Sequence, residues 1–288
     1  MSLEHIHAYP AFLNKPLDLI VNDQNVRTRI EANEWAESWR PFLGRLYDLF
    51  VTTKLKRFMI AIGGPPGAGK SVLAEQLHWM IDNGFFHAGA KSIALPMDGF
   101  HYDQHYLENH TRKLSDGTEI PLSSVKGQPD TLDVKAFRHQ LELVIQRASL
   151  QVWPGYSRFH HDVVPNRFHV EKSMNVVIVE GNYVLVDRGA FAGIPAMFNL
   201  RIYVDAPGPK IVANLVDRHI RGGKTVEEAK DWVRRIDLPN ARIAEASKPN
   251  ADVIMERDSD QDLAGVIWQD EGADASAGGM PPSANPAA

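Results

Sequence analysis

The 288-residue chain contains no cysteine. Disulfides, thiolate zinc centres, iron–sulfur clusters and cysteine nucleophiles are excluded together, and a cytoplasmic setting fits that absence. Long apolar runs are missing too. Stretches such as Met59–Ile62 and Val176–Val179 fall far short of the ~20 residues that a membrane span needs. The first residues, MSLEHIHAYP, lack a basic segment followed by an apolar one, so neither an export signal nor a membrane partner is expected. Positive charge is not in excess: the formal net charge is −5, from 31 basic and 36 acidic residues, which argues against a nucleic-acid partner. An Asn-Lys-x-Asp guanine signature and a His-Glu-x-x-His zinc pattern are both absent, and no internal repeat is visible.

The negative charge is unevenly placed. Asp258 to Ala288 hold six acids and no Lys or Arg, leaving 31 basic against 30 acidic residues in 1–257. Residues 271–288 (EGADASAGGMPPSANPAA) have little to bury and read as a disordered tail. The remainder is close to neutral and can gather Lys70, Arg158, Arg218 and Arg221 around an electropositive site.

Hydrophobic residues make up 44% of the chain, enough for a sizeable core. Residues 1–56 read as a helical leader packed on that core. Across Val26–Phe50 the residues Ile30, Trp35, Trp39, Phe42, Leu43, Leu46, Leu49 and Phe50 recur at helical spacing, with an interruption expected at Pro41. Residues 57–270 form the main domain. Apolar runs at Phe58–Ile62, Ser92–Leu95, Val176–Val179, Leu200–Val204 and Asp252–Met255 alternate with amphipathic stretches at Ser71–Ile81, Val134–Arg147, Pro209–Arg221 and Val226–Arg235. Strands that are apolar throughout belong in a sheet buried on both faces. The alternation predicts an α/β fold, a doubly wound, mainly parallel five-stranded sheet with helices on both faces. Ligands of such sheets sit at the carboxyl ends of the strands.

The strongest local signal lies at one of those ends. Gly64-Pro65-Pro66-Gly67-Ala68-Gly69-Lys70-Ser71 matches G-x-x-x-x-G-K-[ST], follows a hydrophobic strand and opens an amphipathic helix. Glycines let backbone N–H groups turn inward, and the helix N-terminus adds partial positive charge. Gly64, Pro65, Pro66, Gly67, Ala68, Gly69, Lys70, Ser71 and Val72 are therefore the expected nucleotide-binding stretch of a P-loop NTPase three-layer sandwich. Lys70 is expected on the β/γ-phosphates and the Ser71 hydroxyl on Mg²⁺.

Three further groups point to phosphoryl transfer onto a small molecule. Asp98, in Leu95-Pro-Met-Asp98-Gly99-Phe100-His101, follows a strand and is the candidate base that orients an acceptor hydroxyl and takes its proton. His101 and Tyr102 could line the acceptor pocket. Glu180 ends the run Val176-Val-Ile-Val and belongs beside Mg²⁺, directly or through water. Arg218 and Arg221, on a helix end followed by Gly222-Gly223, resemble a mobile lid whose arginines neutralise developing charge. Tyr156, Arg158 and His160 alternate, so they can share one face of an extended segment and, with Lys126, form a cationic acceptor site suited to a carboxylate or phosphate.

At this point the sequence resembles the phosphoribulokinase, uridine kinase and bacterial pantothenate kinase superfamily over about residues 57–257. The blocks that carry the likeness are GGPPGAGKS, MDGFH, Lys126-Gly-Gln-Pro-Asp130-Thr-Leu-Asp133, Tyr156-Ser-Arg158 leading to Asp162-Val-Val-Pro165, VVIVEGNYVLVD and Leu238-Pro-Asn240-Ala-Arg242. The resemblance implies ATP, Mg²⁺ and transfer of the γ-phosphoryl group to a hydroxyl of a sugar, nucleoside or pantothenate-like acceptor, with Asp98 as base and a lid arginine on phosphate or substrate. Asn182 and Asn240, within these blocks, join the expected acceptor contacts, and a homodimer is allowed. Three positions depart from the subfamilies: Arg158 stands where pantothenate kinases have histidine, Leu215 where they have an aromatic residue, and Gly127 where uridine kinases have aspartate. The VEGNYVLVD block, with Asp217-Arg218-His219 and LPNAR, looks most like the nucleoside/nucleotide kinase-like group also labelled as fructose-transport-linked kinases. The alternative from another class is a nucleotide-dependent switch or adaptor that binds a protein through the Trp35/Trp39 helix.

Overall fold

A computed structural model describes residues 10–54, 56–87, 89–146, 150–258 and 262–269. The tail expected at 271–288 lies outside the described residues.

The chain enters as an antiparallel hairpin, β1 (Leu17–Val21) and β2 (Gln24–Thr28). Its turn residues Asn22 and Asp23 have φ of 50° and 65°. Tight hairpin turns demand that left-handed pair, and Asn and Asp tolerate it. A helical run follows, made of α1 (Ala32–Glu34), a π turn (Trp35–Trp39) and α2 (Arg40–Thr53). The leader is thus a hairpin plus a helix, not helical throughout, and the helical run begins at Ala32 rather than at Val26. The period-2 burial of Leu17, Leu19 and Val21 is the strand signal that the aromatic periodicity downstream overshadowed. Pro41 does not interrupt the run. It sits in the first turn of α2 behind the π turn, where a missing N–H costs least.

The remaining elements, in order, are β3 (Phe58–Gly63), α3 (Lys70–Asp82), β4 (Ser92–Pro96), α4 (Gln104–Asn109), β5 (Thr111–Lys113), β6 (Glu119–Pro121), α5 (Val134–Gln146), β7 (Gln151–Ser157), β8 (Asp162–Val170), β9 (Val176–Glu180), β10 (Leu200–Asp205), α6 (Gly208–Arg221), α7 (Val226–Trp232), α8 (Leu238–Glu245), β11 (Val253–Arg257) and β12 (Leu263–Trp268). The central sheet runs β12-β11-β10-β3-β9-β4. The five strands anticipated from sequence pair in parallel, and β12 adds a sixth, antiparallel to β11. This edge strand, LAGVIW, is apolar in sequence but half-exposed, and the strand–helix alternation did not point to it because it follows β11 directly and runs antiparallel to it.

Alternation along the strands builds two cores. Phe58, Ile60 and Ile62 of β3 pack on one face with Leu73 and Leu77 of α3. Met59 and Ala61 pack on the other with Phe137 and Trp153. The leader completes the first core: Trp35, Trp39, Phe42, Leu43 and Leu46 are all fully buried in it. Those tryptophans are therefore spent on packing and present no surface to a partner protein. Glu34 fastens the leader to β12, accepting from Trp39 Nε1 at 2.8 Å and from the Leu263 N–H at 3.1 Å. Among the described residues no helix is long and apolar enough to cross a membrane.

Candidate active site

β3 delivers the chain to the sheet's carboxyl edge at Gly63. The loop beyond it bends through glycines, with φ of 139° at Gly64, 83° at Gly67 and 90° at Gly69. At Gly64 a Cβ would lie 2.5 Å from the Val204 carbonyl oxygen of β10, so close approach as well as torsion demands glycine there. The helix α6 packs directly on this loop: Asn214 Nδ2 donates to the Gly67 carbonyl at 2.9 Å. Leu215, fully buried, fills the space where a Gly67 side chain would stand. Lys70 opens α3 and is buried. Its ammonium donates to the Pro65 carbonyl at 2.9 Å and to Asn182 Oδ1 at 2.8 Å. Burial pushes its pKa down to about 8, against the pull of Glu180 and Asp98.

Ser71 donates its hydroxyl to Glu180 Oε1 at 2.9 Å, at the end of β9. Burial, and then the nearby Asp98 charge, push the Glu180 carboxyl up. A hydroxyl and a buried carboxylate whose charge is under-compensated form an oxygen donor set that fits Mg²⁺. Ser71 and Glu180 are the residues that would hold it, with nucleotide phosphates supplying further oxygens.

Across the site, Asp98 stands just beyond β4 and ion-pairs with Arg158 at 2.7 Å. Burial favours its protonated form, but Arg158, then His101, Lys70 and Arg218, outweigh it and hold the carboxyl below its usual range. Gly99 is required beside it, because a Cβ would lie 2.2 Å from the Pro154 carbonyl oxygen of β7. Lys126 and Arg158 lie over the Tyr156 ring, at 5.3 and 5.2 Å from its centre, and burial pushes that phenol up to about 12. His101 is anchored through Nδ1 to Thr131 at 3.1 Å, and burial holds its pKa below the usual value. Gly127, next to Lys126, offers its carbonyl to Tyr183 Oη at 2.8 Å and to Asn240 Nδ2 at 3.0 Å. Asn240 Oδ1 is buried with no hydrogen-bond partner among the described residues.

Lys70, Ser71, Glu180, Asn182, Asp98, Arg158, Tyr156, Lys126, His101 and Asn240 thus meet at one end of the sheet. Arg218 is near enough to influence Lys70 and Asp98 and lies 3.4 Å from Asp237. Three candidates fall elsewhere. Arg221 is exposed and pairs with Asp217 one helical turn away. His160 is exposed beside Phe159. Tyr102 stacks on Tyr106 at 4.2 Å in a satellite cluster with Leu107 and Ile236. Val72 packs against the β1–β2 hairpin. Sequence reasoning passed over Asp237, which binds both Arg218 and His219 Nε2, the latter at 2.7 Å, although it directly precedes the LPNAR block. It also passed over Gln104, which accepts from Lys126 Nζ at 3.1 Å and carried no signal of its own.

The Asp98–Arg158 pair makes a prediction about pH. Arg158→Gln removes the strongest influence lowering the Asp98 pKa, so that carboxyl titrates at higher pH. A base must be ionised to act, and its activity fades as pH falls through its pKa. The acid limb of the kcat/KM profile is expected to move to higher pH. An unmoved acid limb refutes the coupling.

Comparison with known proteins places this geometry. The model of the phosphoribulokinase / uridine kinase family matches residues 59–264. A protein from Escherichia coli K12, the uncharacterised YggC, is 28% identical over 240 residues, covering 83% of this chain and 94% of its own. A pantothenate kinase from Myxococcus xanthus is 30% identical over 225 residues, covering 75% of this chain and 64% of its own. Among solved structures, one from Silicibacter sp. TM1040, provisionally described as a fructose transport system kinase, superposes with a TM-score of 0.59 at 28% identity. It covers 71% of this chain and 94% of its own.

Proposed function

Because the chain belongs to the phosphoribulokinase/uridine kinase family and is a small-molecule kinase, we propose that it transfers the γ-phosphoryl group of ATP to a hydroxyl of an anionic metabolite, a hydroxy acid or a sugar phosphate. The observation that carries this reading is the pair of cations, Lys126 and Arg158, over the Tyr156 ring on the Asp98 side of the site. A carboxylate or phosphate is the ligand group that cations flanking one ring favour, with Arg158 also shared with Asp98. Asn240 holds the Gly127 carbonyl at 3.0 Å and so fixes the backbone beside Lys126.

The geometry supports the following division of labour. Lys70 and the loop N–H groups hold the triphosphate. Mg²⁺, when bound, supplies charge neutralisation on the phosphates. Asp98 accepts the proton of the attacking hydroxyl, and Arg218 faces the charge that develops during transfer. The switch-or-adaptor alternative loses its premise, because the Trp35/Trp39 face is buried.

The test is ADP formation across a panel of acceptors, with hydroxy acids, pantothenate and sugar phosphates on one side and neutral sugars and nucleosides on the other. Turnover above the water-only rate is expected with anionic acceptors. Turnover confined to neutral acceptors overturns the anionic assignment, and none at all overturns the kinase reading.

A further inference from the structure

The β1–β2 hairpin lies before residue 59, where the family match begins, yet its turn reaches the site. Asn22 Nδ2 donates to Ser71 Oγ at 3.4 Å. The neighbouring Asp23 ion-pairs with Arg167 of β8, in the same ribbon that carries Tyr156 and Arg158 on β7 and its loop. The hairpin is seated on the P-loop helix by Leu17, Leu19 and Val21, which pack with Val72 and Trp79. The turn is therefore held from two sides, by the helix that begins with Lys70 and by the acceptor-side ribbon.

The contact with Ser71 has a consequence in hydrogen-bond arithmetic. A serine hydroxyl has one proton and two lone pairs. The proton goes to Glu180 Oε1 at 2.9 Å and one lone pair accepts from Asn22. The rotor is thereby fixed, and one lone pair is left for a cation. A cavity of about 110 Å³ opens beside this group, with Asn22, Ser71, Glu75 and Glu180 on its wall. Its volume has room for a few water molecules, and Mg²⁺ keeps several of its waters when bound by few protein ligands. Glu75 makes no hydrogen bond or ion pair among the described residues. Burial, and then Glu180, push its carboxyl up to about 7.

We propose that Asn22 is a positioning residue for the metal side of the site: its amide fixes the Ser71 hydroxyl so that a cation finds the oxygen already oriented. The proposal rests on the reading of Ser71 and Glu180 as the metal-holding residues. It assigns the N-terminal hairpin a part in metal affinity, beyond covering the helix.

Asn22→Gly tests it, because glycine keeps the positive φ of the turn and removes only the amide. Mn²⁺ binding is measured by electron paramagnetic resonance with a non-hydrolysable ATP analogue present, alongside the thermal midpoint and analogue binding without metal. The expected result is a Mn²⁺ dissociation constant raised about threefold to tenfold, as for the loss of one modest hydrogen bond, with the other two readouts unchanged. Asp23→Gly is the structural control, since it cuts the tie to Arg167 but keeps the Asn22 amide. An equal loss in both variants overturns the specific role of Asn22, as does no loss in Asn22→Gly when Ser71→Ala weakens Mn²⁺ binding. If Ser71→Ala binds Mn²⁺ as the wild type does, the metal-side reading itself falls.

Discussion

Asp98→Asn is expected to lower kcat by about a thousandfold, or about 4 kcal/mol of barrier, while leaving ATP binding intact. The argument begins with position. β4 ends at Pro96, and the short 3₁₀ turn beyond it holds Asp98 at the sheet's carboxyl edge, fixed by the contact of Gly99 with the Pro154 carbonyl. Charge comes next. Burial alone would protonate the carboxyl, but Arg158, His101, Lys70 and Arg218 together keep it ionised at neutral pH. A base must be ready to accept a proton and be close to its donor, and this environment supplies readiness without a metal ligand's duty. Asparagine keeps the shape and an oxygen for Arg158, so the fold and the Arg158 contact survive, but it cannot take a proton from the acceptor hydroxyl. The phosphate loop is built from separate residues, 64–71, so nucleotide binding survives, changed only through the part Asp98 plays in keeping Lys70 protonated. Steady-state ADP release gives kcat, and titration with a fluorescent ATP analogue gives affinity. Unchanged turnover removes Asp98 from the role of base. Lost turnover with lost nucleotide binding makes it a structural residue instead.

How much of this was legible in the sequence depends on range. The phosphate loop is local: eight consecutive residues carry torsion, charge and hydroxyl, so the motif predicts its own conformation. The five parallel strands were legible because burial on both faces makes them apolar throughout, as in Val176–Val179. β12 was missed although Leu263–Trp268 is itself an apolar run: it follows β11 without an intervening helix and pairs antiparallel to it, outside the strand–helix alternation, and its Trp268 stacks on Phe42, more than two hundred positions away. The same holds in the site. Asp98 and Arg158 were each singled out, but their 2.7 Å pairing depends on the register of the β7–β8 ribbon against β4, which no local pattern encodes. Arg221 misled because it shares a helix end with Arg218. Positions three apart share a helix face, so spacing alone put both arginines at the site, whereas the Asp217 pair holds the exposed Arg221 outward. Asn22 could not be read at all. Its only sequence signal is that of a turn, and its partner Ser71 lies 49 positions on.

ATP affinity is expected to be flat between about pH 7 and 8 and to fall about tenfold per pH unit above that, and the residue responsible is Lys70. Its ammonium is buried, and the cost of keeping a charge there brings its pKa down to about 8, only partly relieved by Glu180 and Asp98. A bound triphosphate places negative charge beside it and raises that pKa again. The bound state therefore holds the proton over a range in which the free enzyme has lost it. By linkage, a proton must be taken up on binding in that range, and each pH unit costs a factor of ten; below about pH 8 both states are protonated and the slope vanishes. The nucleotide's own phosphates titrate near pH 6 and lie outside this window. Lys70→Arg separates charge from titration, because a guanidinium stays protonated throughout. Its affinity is expected to be weaker at pH 7, since the planar group cannot reproduce the contacts with the Pro65 carbonyl and Asn182, but flat to pH 9.5. Lys70→Met, which removes the charge, is expected to cost about a hundredfold to a thousandfold in kcat/KM. Calorimetric titration of an ATP analogue in two buffers of different ionisation enthalpy counts the proton directly at pH 9. One proton taken up by the wild type and none by Lys70→Arg is the expected pair of values. Zero in both means that Lys70 stays charged in the free enzyme, and the phosphate site must then hold a preformed cation that the triphosphate meets without any proton cost.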